Sequence, residues 1–341
     1  MSLTLTLAGS VASGLTYFSW VGAAAIARSL SEGDVEMSWS QDALPQARLH
    51  CADLSLDDIA SEVKRLATEW APGWTAVTVQ YSGGEFSPFS PRFKAIDPIR
   101  HPEDWSLHQQ ARLTQLDKLA EKGDHLALNL IQALGEAAYW RFDRGAPRPD
   151  HGASRWEMKT RNRGEEFVRH RLHPMCVDIS EWSLTDIAMG LTGELQQDTI
   201  GNVKEGSRTS SGFQPPSPAD TALSFVALIG ISSFPVLHRL SKVSVTPGAY
   251  PDHVLHPTAA VLPVPVLPIT PERFENIVIS KYWADLVSEL GPETSILNSP
   301  ADHEHFKELG IPAAAFYRIR LAGSASAPER YFEEGKVVVL S

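Results

Sequence analysis

LTLTLAGSVASGLTYFSWVGAAAIARSL, residues Leu3 to Leu30, decides how this chain begins to fold. Leucine alternates with threonine at the start, the two-residue period of a half-buried strand over Ser2–Ala8. Gly9-Ser10 turns the chain, and Ser13–Leu30 is predicted to be a helix that buries Leu15, Phe18, Val21, Ala25 and Ile26. No charged residue lies between Leu3 and Ala27. Export does not fit, because a signal peptide carries basic residues ahead of its apolar run. A spanning helix does not fit either, since hydroxyls at Thr4, Thr6, Ser10, Ser13, Thr16 and Ser19 are costly in lipid. The stretch therefore reads as a buried strand followed by a buried helix.

A second stretch of the same make follows in the other half: ADTALSFVALIGISSF, Ala219–Phe234, predicted as an apolar helix that stops near Pro235. It echoes GLTYFSWVGAAAIA in its small residues, either as a related core helix or by convergent composition. No repeat period of roughly 20–50 residues occurs, so solenoids and propellers are not expected. Around these two, short strands are predicted at Val35–Trp39, Ala47–Cys51, Thr75–Tyr81 (ended by Gly83-Gly84), Glu275–Ser280, Tyr317–Leu321 and Lys336–Leu340. Helices are predicted at Ser55–Trp70, with Ser55 as N-cap and Asp57 and Asp58 in the first turn, and at Ser106–Leu119, His125–Trp140 and Ser180–Leu191. Gly201–Pro218, with three prolines, reads as an exposed connection. The five prolines of Pro257–Pro271 exclude an interior strand and leave an extended edge or packing arm.

The fold class that results is mixed α/β (α+β), in two intimately packed halves that each bury a small-residue-rich helix against short strands. The halves are residues 1–140 and 219–341; a basic segment and connection, 141–218, lies between them and carries a hinge near 141–220. A chain of 341 residues suits two such halves, and 43% hydrophobic with 21% charged residues is globular composition. Net charge −11 argues against non-specific coating of nucleic acid. Two distant cysteines, Cys51 and Cys176, build neither a disulfide framework nor a thiolate metal site, which makes a reducing cytoplasm the expected compartment.

Against this acidic background Trp140–Pro174, WRFDRGAPRPDHGASRWEMKTRNRGEEFVRHRLHP, carries nine Lys/Arg and five Asp/Glu, a local net of +4. Charge concentrated in this way draws an anionic partner to one place. Trp140, Phe142, Trp156 and Phe167 interleave the basic residues, which suits base stacking beside phosphate neutralisation. Arginine outnumbers lysine eight to one here, and its planar fork suits phosphate. Arg161/Arg163 and Arg169/Arg171 are two apart, so an extended strand would place each pair on one side. The candidate nucleic-acid contacts are Arg155, Lys159, Arg161, Arg163, Arg169 and Arg171, with Arg208 added from the SRTSSG segment. The same residues also suit salt bridges to the acids of the chain.

Two other patterns bear on catalysis. Gly9–Thr16, GSVASGLT, has the length and glycine positions of a phosphate-binding loop, but Leu15 stands where the lysine belongs, and a tight strand-to-helix turn is preferred. The Asp302-His303-Glu304-His305 run and Asp252-His253 with His256 are the densest His/acid groups. His303 and His305 diverge on the helix predicted there, which favours plain solvation over a metal site. No GxSxG elbow, HExxH or dinucleotide fingerprint occurs. No catalytic residue, metal ligand or cofactor is assigned; a metal- or nucleotide-dependent enzyme using His303/His305 or Gly9–Thr16 is the alternative.

The opening strand with GLTYFSWVGAAAIAR, then ASRWEMKTRNR followed by SRTSSGFQPPSPADTALSFVALIGISSFPV, resembles the small form of the large subunit of type I CRISPR surveillance (Cascade) complexes of the I-G/I-U lineage. The resemblance covers about a third of the chain. The family's usual Asn-Pro-Gly-type turn before the first helix is replaced here by Gly9-Ser10. What the resemblance implies is a non-catalytic, cytoplasmic subunit of an antiviral RNA-guided ribonucleoprotein. Its partners would be the other Cascade subunits, guide RNA and target DNA, with no membrane. It would help recognise the motif flanking the target, while a helicase-nuclease recruited in trans does the cutting.

Overall fold

The computed structural model describes residues 3–82, 84–92, 96–158, 167–200, 209–239, 242–292, 304–324 and 327–340. It is a mixed α/β fold. Strand β1 (Leu3–Thr6) leads into helix α1 (Gly14–Leu30), followed by β2 (Val35–Trp39), β3 (Ala47–Cys51) and helix α2 (Leu56–Trp70). The three strands form an antiparallel sheet in the order β1-β3-β2 under α1. Ser13 caps α1 by accepting from the Thr16 amide, and Ser55 caps α2 in a reciprocal box with Asp58.

A small hairpin, β4 (Val79–Tyr81) and β5 (Gly84–Phe86), precedes helices α3 (Pro102–Lys122) and α4 (His125–Leu134). The strand predicted from Thr75 is shorter than expected: Trp74–Ala76 is a tight helical turn, held by the Thr75 hydroxyl donating to the Trp70 carbonyl. The helix predicted to reach Trp140 ends at Leu134, because the chain turns at Gly135 to bridge Ala153. A second hairpin, β6 (Phe142–Asp143) with β7 (Ala146–Pro147), is followed by α5 (His173–Glu181) and α6 (Leu184–Thr192). The predicted helix Ser180–Leu191 is thus two helices, with Ser183 capping the second.

Helix α7 (Thr221–Ile229), capped by Asp220, continues as a 3-10 turn to Ser233. Beyond it lie β8 (Ala249–Tyr250), β9 (Ala259–Val264), α8 (Pro271–Val278), α9 (Lys281–Leu290), α10 (Glu304–Glu308), β10 (Ala313–Ser324), β11 (Ala327–Phe332) and β12 (Lys336–Val339). The second sheet runs β11-β10-β9-β8, with β12 also paired to β10. Glu275–Ser280, predicted as a strand, falls largely in α8: Thr270 caps it, Pro271 opens it, and Phe274, Ile277 and Val278 form its buried face.

The proline arm is also corrected. Strand β9 is buried at every position and runs between β10 and β8. Proline is tolerated there because β8 is only two residues long. Val261 donates to the Gly248 carbonyl on the side away from β10, and strand alternation puts Pro263 on that same side, where its missing N–H costs nothing. The Pro263 carbonyl accepts from the Tyr17 hydroxyl at 2.6 Å. Past β9 the arm reaches the first sheet, with Met37 and Ile269 exchanging amide bonds at 2.8 and 3.1 Å.

The two small-residue helices pack on each other. A Cβ on Gly22 would sit 1.9 Å from the Val226 carbonyl oxygen, and one on Gly230 2.1 Å from that of Phe18. Each glycine lies four residues after the carbonyl that its counterpart meets, so the contact is reciprocal. The Ser19 hydroxyl crosses the seam to the Leu223 carbonyl at 2.9 Å. Phe213 stacks on Phe18 with ring centroids 3.8 Å apart. Its neighbours Thr209, Ser210 and Ser211 are buried too, so this end of the predicted exposed connection lines the core instead. One continuous core draws on residues from both ends of the chain.

Candidate nucleic-acid interface

The structure separates the basic stretch into an interior part and an exterior part. Arg155 is inside, 3% exposed. Its guanidinium donates to the carbonyls of Leu255 (2.9 Å), Asp150 (2.9 Å) and Ala153 (2.6 Å). Arg171, also 3% exposed, pairs with Glu329 at 3.1 Å, and Glu329 in turn accepts from the Thr209 amide. Arg169 donates to both the backbone carbonyl and the carboxylate of Glu85. Trp156 and Phe167 are fully buried, with Trp156 edge-on to Phe18, Phe234 and Phe332.

Arg155 and Arg171 are therefore structural ties and not phosphate contacts. The expected strand pairing of Arg169 with Arg171 fails because Val168–Leu172 is a wide helical turn, on which positions two apart diverge. Lys159, Arg161, Arg163 and Arg208 lie outside the described residues. Glu157 is enclosed with Arg92, its Oε2 3.0 Å from the Arg92 Nε. Burial pushes its carboxyl up to about 7 despite the Arg92 charge, which acts in the opposite direction.

The exterior part is the β6–β7 hairpin, which offers residues not chosen from sequence. Arg144 and Gly145 form its two-residue turn at φ +52° and +77°, the sense of the turn that matches strand twist. Phe142 pairs with Pro147, Asp143 with Ala146, and the Arg148 amide donates to the Arg141 carbonyl at 2.8 Å. Trp140 and Phe142 are 52% and 47% exposed. Arg144 stands exposed at the turn, and Arg148 pairs with Asp143. The hairpin rests on a rigid base: Tyr139 is buried edge-on to Trp105 at 4.5 Å, and the Ser154 amide donates to the Leu134 carbonyl.

His151 lies at the root of the hairpin. Its imidazole is pushed down to about 4, first by burial and then by Arg141, Arg148 and Arg155, with Asp150 opposing. Arg141, Arg144 and Arg148 against Asp143 and Asp150 leave the hairpin and its root with a small positive excess. The sequence signal for this element was present in FDRGAP, a tight turn beside an alternating aromatic/arginine run.

The other two candidate patterns are more ordinary. At Gly9–Thr16 the Thr16 hydroxyl donates to the Ala8 carbonyl, Ser13 caps the helix, and the buried Asp220 carboxylate shares the adjacent cleft. This is a self-closed turn next to a negative group. His305 lies at a tilt against the rings of Phe306 and Tyr282, while His303 lies outside the described residues. Asp252 and His253 are 3.3 Å apart at the surface. Among the described residues no three His, Cys, Asp or Glu side chains converge as metal ligands would.

Cys51 and Cys176 are both free and buried, and burial pushes both thiols up, Cys51 to about 11. Among the described residues no helix is long and apolar enough to cross a membrane. No protein-family model, curated protein or solved structure matches this chain.

Proposed function

We propose that this chain is a non-catalytic, nucleic-acid-binding subunit of an RNA-guided type I CRISPR effector, working in the cytoplasm with other Cascade subunits, guide RNA and target DNA. On this reading it supports recognition of the motif flanking the target, and a helicase-nuclease acts in trans. The observation that carries the reading is the β6–β7 hairpin, where two exposed aromatic rings stand among Arg141, Arg144 and Arg148 on a chain of net charge −11. Exposed rings stack on bases irrespective of sequence, and arginines neutralise the phosphates between them. The resemblance of the opening strand and helix, the arginine-rich segment and the second apolar helix supports the assembly.

The test is binding of labelled 20-nucleotide RNA, single-stranded DNA and duplex DNA by the full chain across 50–200 mM salt. A Trp140→Ala/Phe142→Ala/Arg144→Ala variant should bind at least tenfold more weakly at about 1–3 kcal/mol per lost stack, and with a flatter salt dependence. Unchanged affinity and slope in that variant would remove the hairpin from the function.

A further inference from the structure

Beside the hairpin lies a cavity of about 290 Å³, close to the lower end of the roughly 300–1,000 Å³ typical of small-molecule sites. Leu237, Val245 and Ile279 contribute apolar wall, Asp285 and Ser288 a polar edge, and Arg239 and Asp252 an ion pair. Those two side chains are 2.8 Å apart and about 40% exposed, a donor and an acceptor side by side.

The cavity and the hairpin share a scaffold. The Ser244 amide donates to the His151 carbonyl at 2.8 Å, and the Arg155 amide donates to the Thr246 hydroxyl at 2.8 Å. Leu237 and Val245 bridge each other across the cavity wall. His238, between two lining residues, bonds Ser244 at 3.0 Å and meets the Trp140 ring edge-on at 6.4 Å. His238 thus joins Trp140 to the segment that lines the cavity.

We infer that this cavity accepts one unpaired nucleobase from the strand held by the β6–β7 hairpin; the inference rests on the nucleic-acid reading above. The division of charge selects the base over the phosphate. Hairpin arginines offer net positive charge outside, while inside Arg239 is paired with Asp252 and the lining carboxylate of Asp285 is held by Lys281. A phosphate gains nothing in such a pocket and meets the Asp252 carboxylate. A neutral base brings a flat apolar face for the aliphatic wall, with edge donors and acceptors that match Asp252 and Arg239.

The experiment uses the full chain and two DNA duplexes of one sequence, the first with a single bulged 2-aminopurine, the second with that base paired. Wild type should prefer the bulged duplex on the order of tenfold, with a change in 2-aminopurine emission on binding. Ala284 is an exposed residue lining the cavity on α9. Ala284→Trp should abolish the preference while leaving paired-duplex affinity unchanged. Asp252→Ala should lower the preference, although loss of a negative charge would by itself strengthen binding to both duplexes.

Equal binding of the two duplexes by wild type, or a preference that survives Ala284→Trp, overturns the cavity and leaves the hairpin intact. The hairpin variant should weaken both duplexes alike. Failure of wild type to bind either duplex, RNA or single-stranded DNA overturns the hairpin reading and the cavity with it.

Discussion

The α1–α7 seam and the basic stretch were both conspicuous in sequence, and they turned out differently. At the seam, the residues that look like core are core. Small and apolar side chains have one stable place in water-soluble folds, and the glycines mark where two backbones meet. In the basic stretch, charge was equally visible, but a guanidinium has several ways to be satisfied. Carbonyls and Glu329 hold Arg155 and Arg171 inside, Glu85 holds Arg169 at the boundary, and Arg144 stands outside. Apolar pattern specifies location, whereas charge pattern specifies only that some partner exists.

The strongest way to break this contrast is Arg171→Ala. If the guanidinium is a buried tie, its loss leaves Glu329 buried with its charge uncompensated and should cost about 3–5 kcal/mol in urea unfolding. Nucleic-acid affinity per folded molecule should not change. A variant as stable as wild type but weaker in binding would return Arg171 to the interface.

At the seam, Gly22→Ala should cost about 3 kcal/mol, because the new methyl meets a backbone carbonyl that cannot move aside alone. Gly230→Ala should behave alike, and the double variant should cost less than the two together, since both act on one contact. Strictly additive losses would show that the two approaches are independent.

The interior of the basic stretch also has a pH signature. Glu157 has a folded pKa above its unfolded one, so between the ordinary carboxyl range and about 7 the folded state holds a proton that the unfolded state has released. Stability therefore falls as pH rises through that window, by at most about 1.4 kcal/mol per pH unit. In urea melts at pH 5, 6 and 7, Glu157→Gln should flatten the fall; parallel curves for the two proteins would contradict the burial argument.

The smallest effect on stability belongs to Arg144→Ala, within about 0.5 kcal/mol. The same change should lower the salt slope of nucleic-acid binding by about one unit. A thermal shift without a change in slope would make Arg144 one more structural arginine.

Part of the site was legible and passed over. Trp140, Arg141, Phe142, Arg144 and Arg148 belonged to the basic stretch from the start, and Arg144-Gly145 is a turn signal. The arginines singled out for charge and spacing lay further along, beside Trp156 and Phe167, which are buried as Arg155 and Arg171 are. Phe213 was hidden for a related reason: a proline-rich setting reads as exposed, and only its stacking partner Phe18, distant in sequence, reveals otherwise.

The sequence by itself determined the mixed α/β class, the opening strand and helix, the cap at Ser55, and the apolar character of both seam helices. These follow from local physics: periodicity, capping chemistry and the cost of exposing apolar surface. Only the tertiary structure decided that the two helices cross glycine to carbonyl, that β9 is an interior strand despite Pro263, and which arginines face water. Those outcomes depend on partners far away in the chain. The short reach of β8 leaves room for Pro263, Glu329 draws Arg171 inward, and the turn at Arg144-Gly145 holds its arginine outside, beyond the reach of the buried acids and carbonyls that claimed the others.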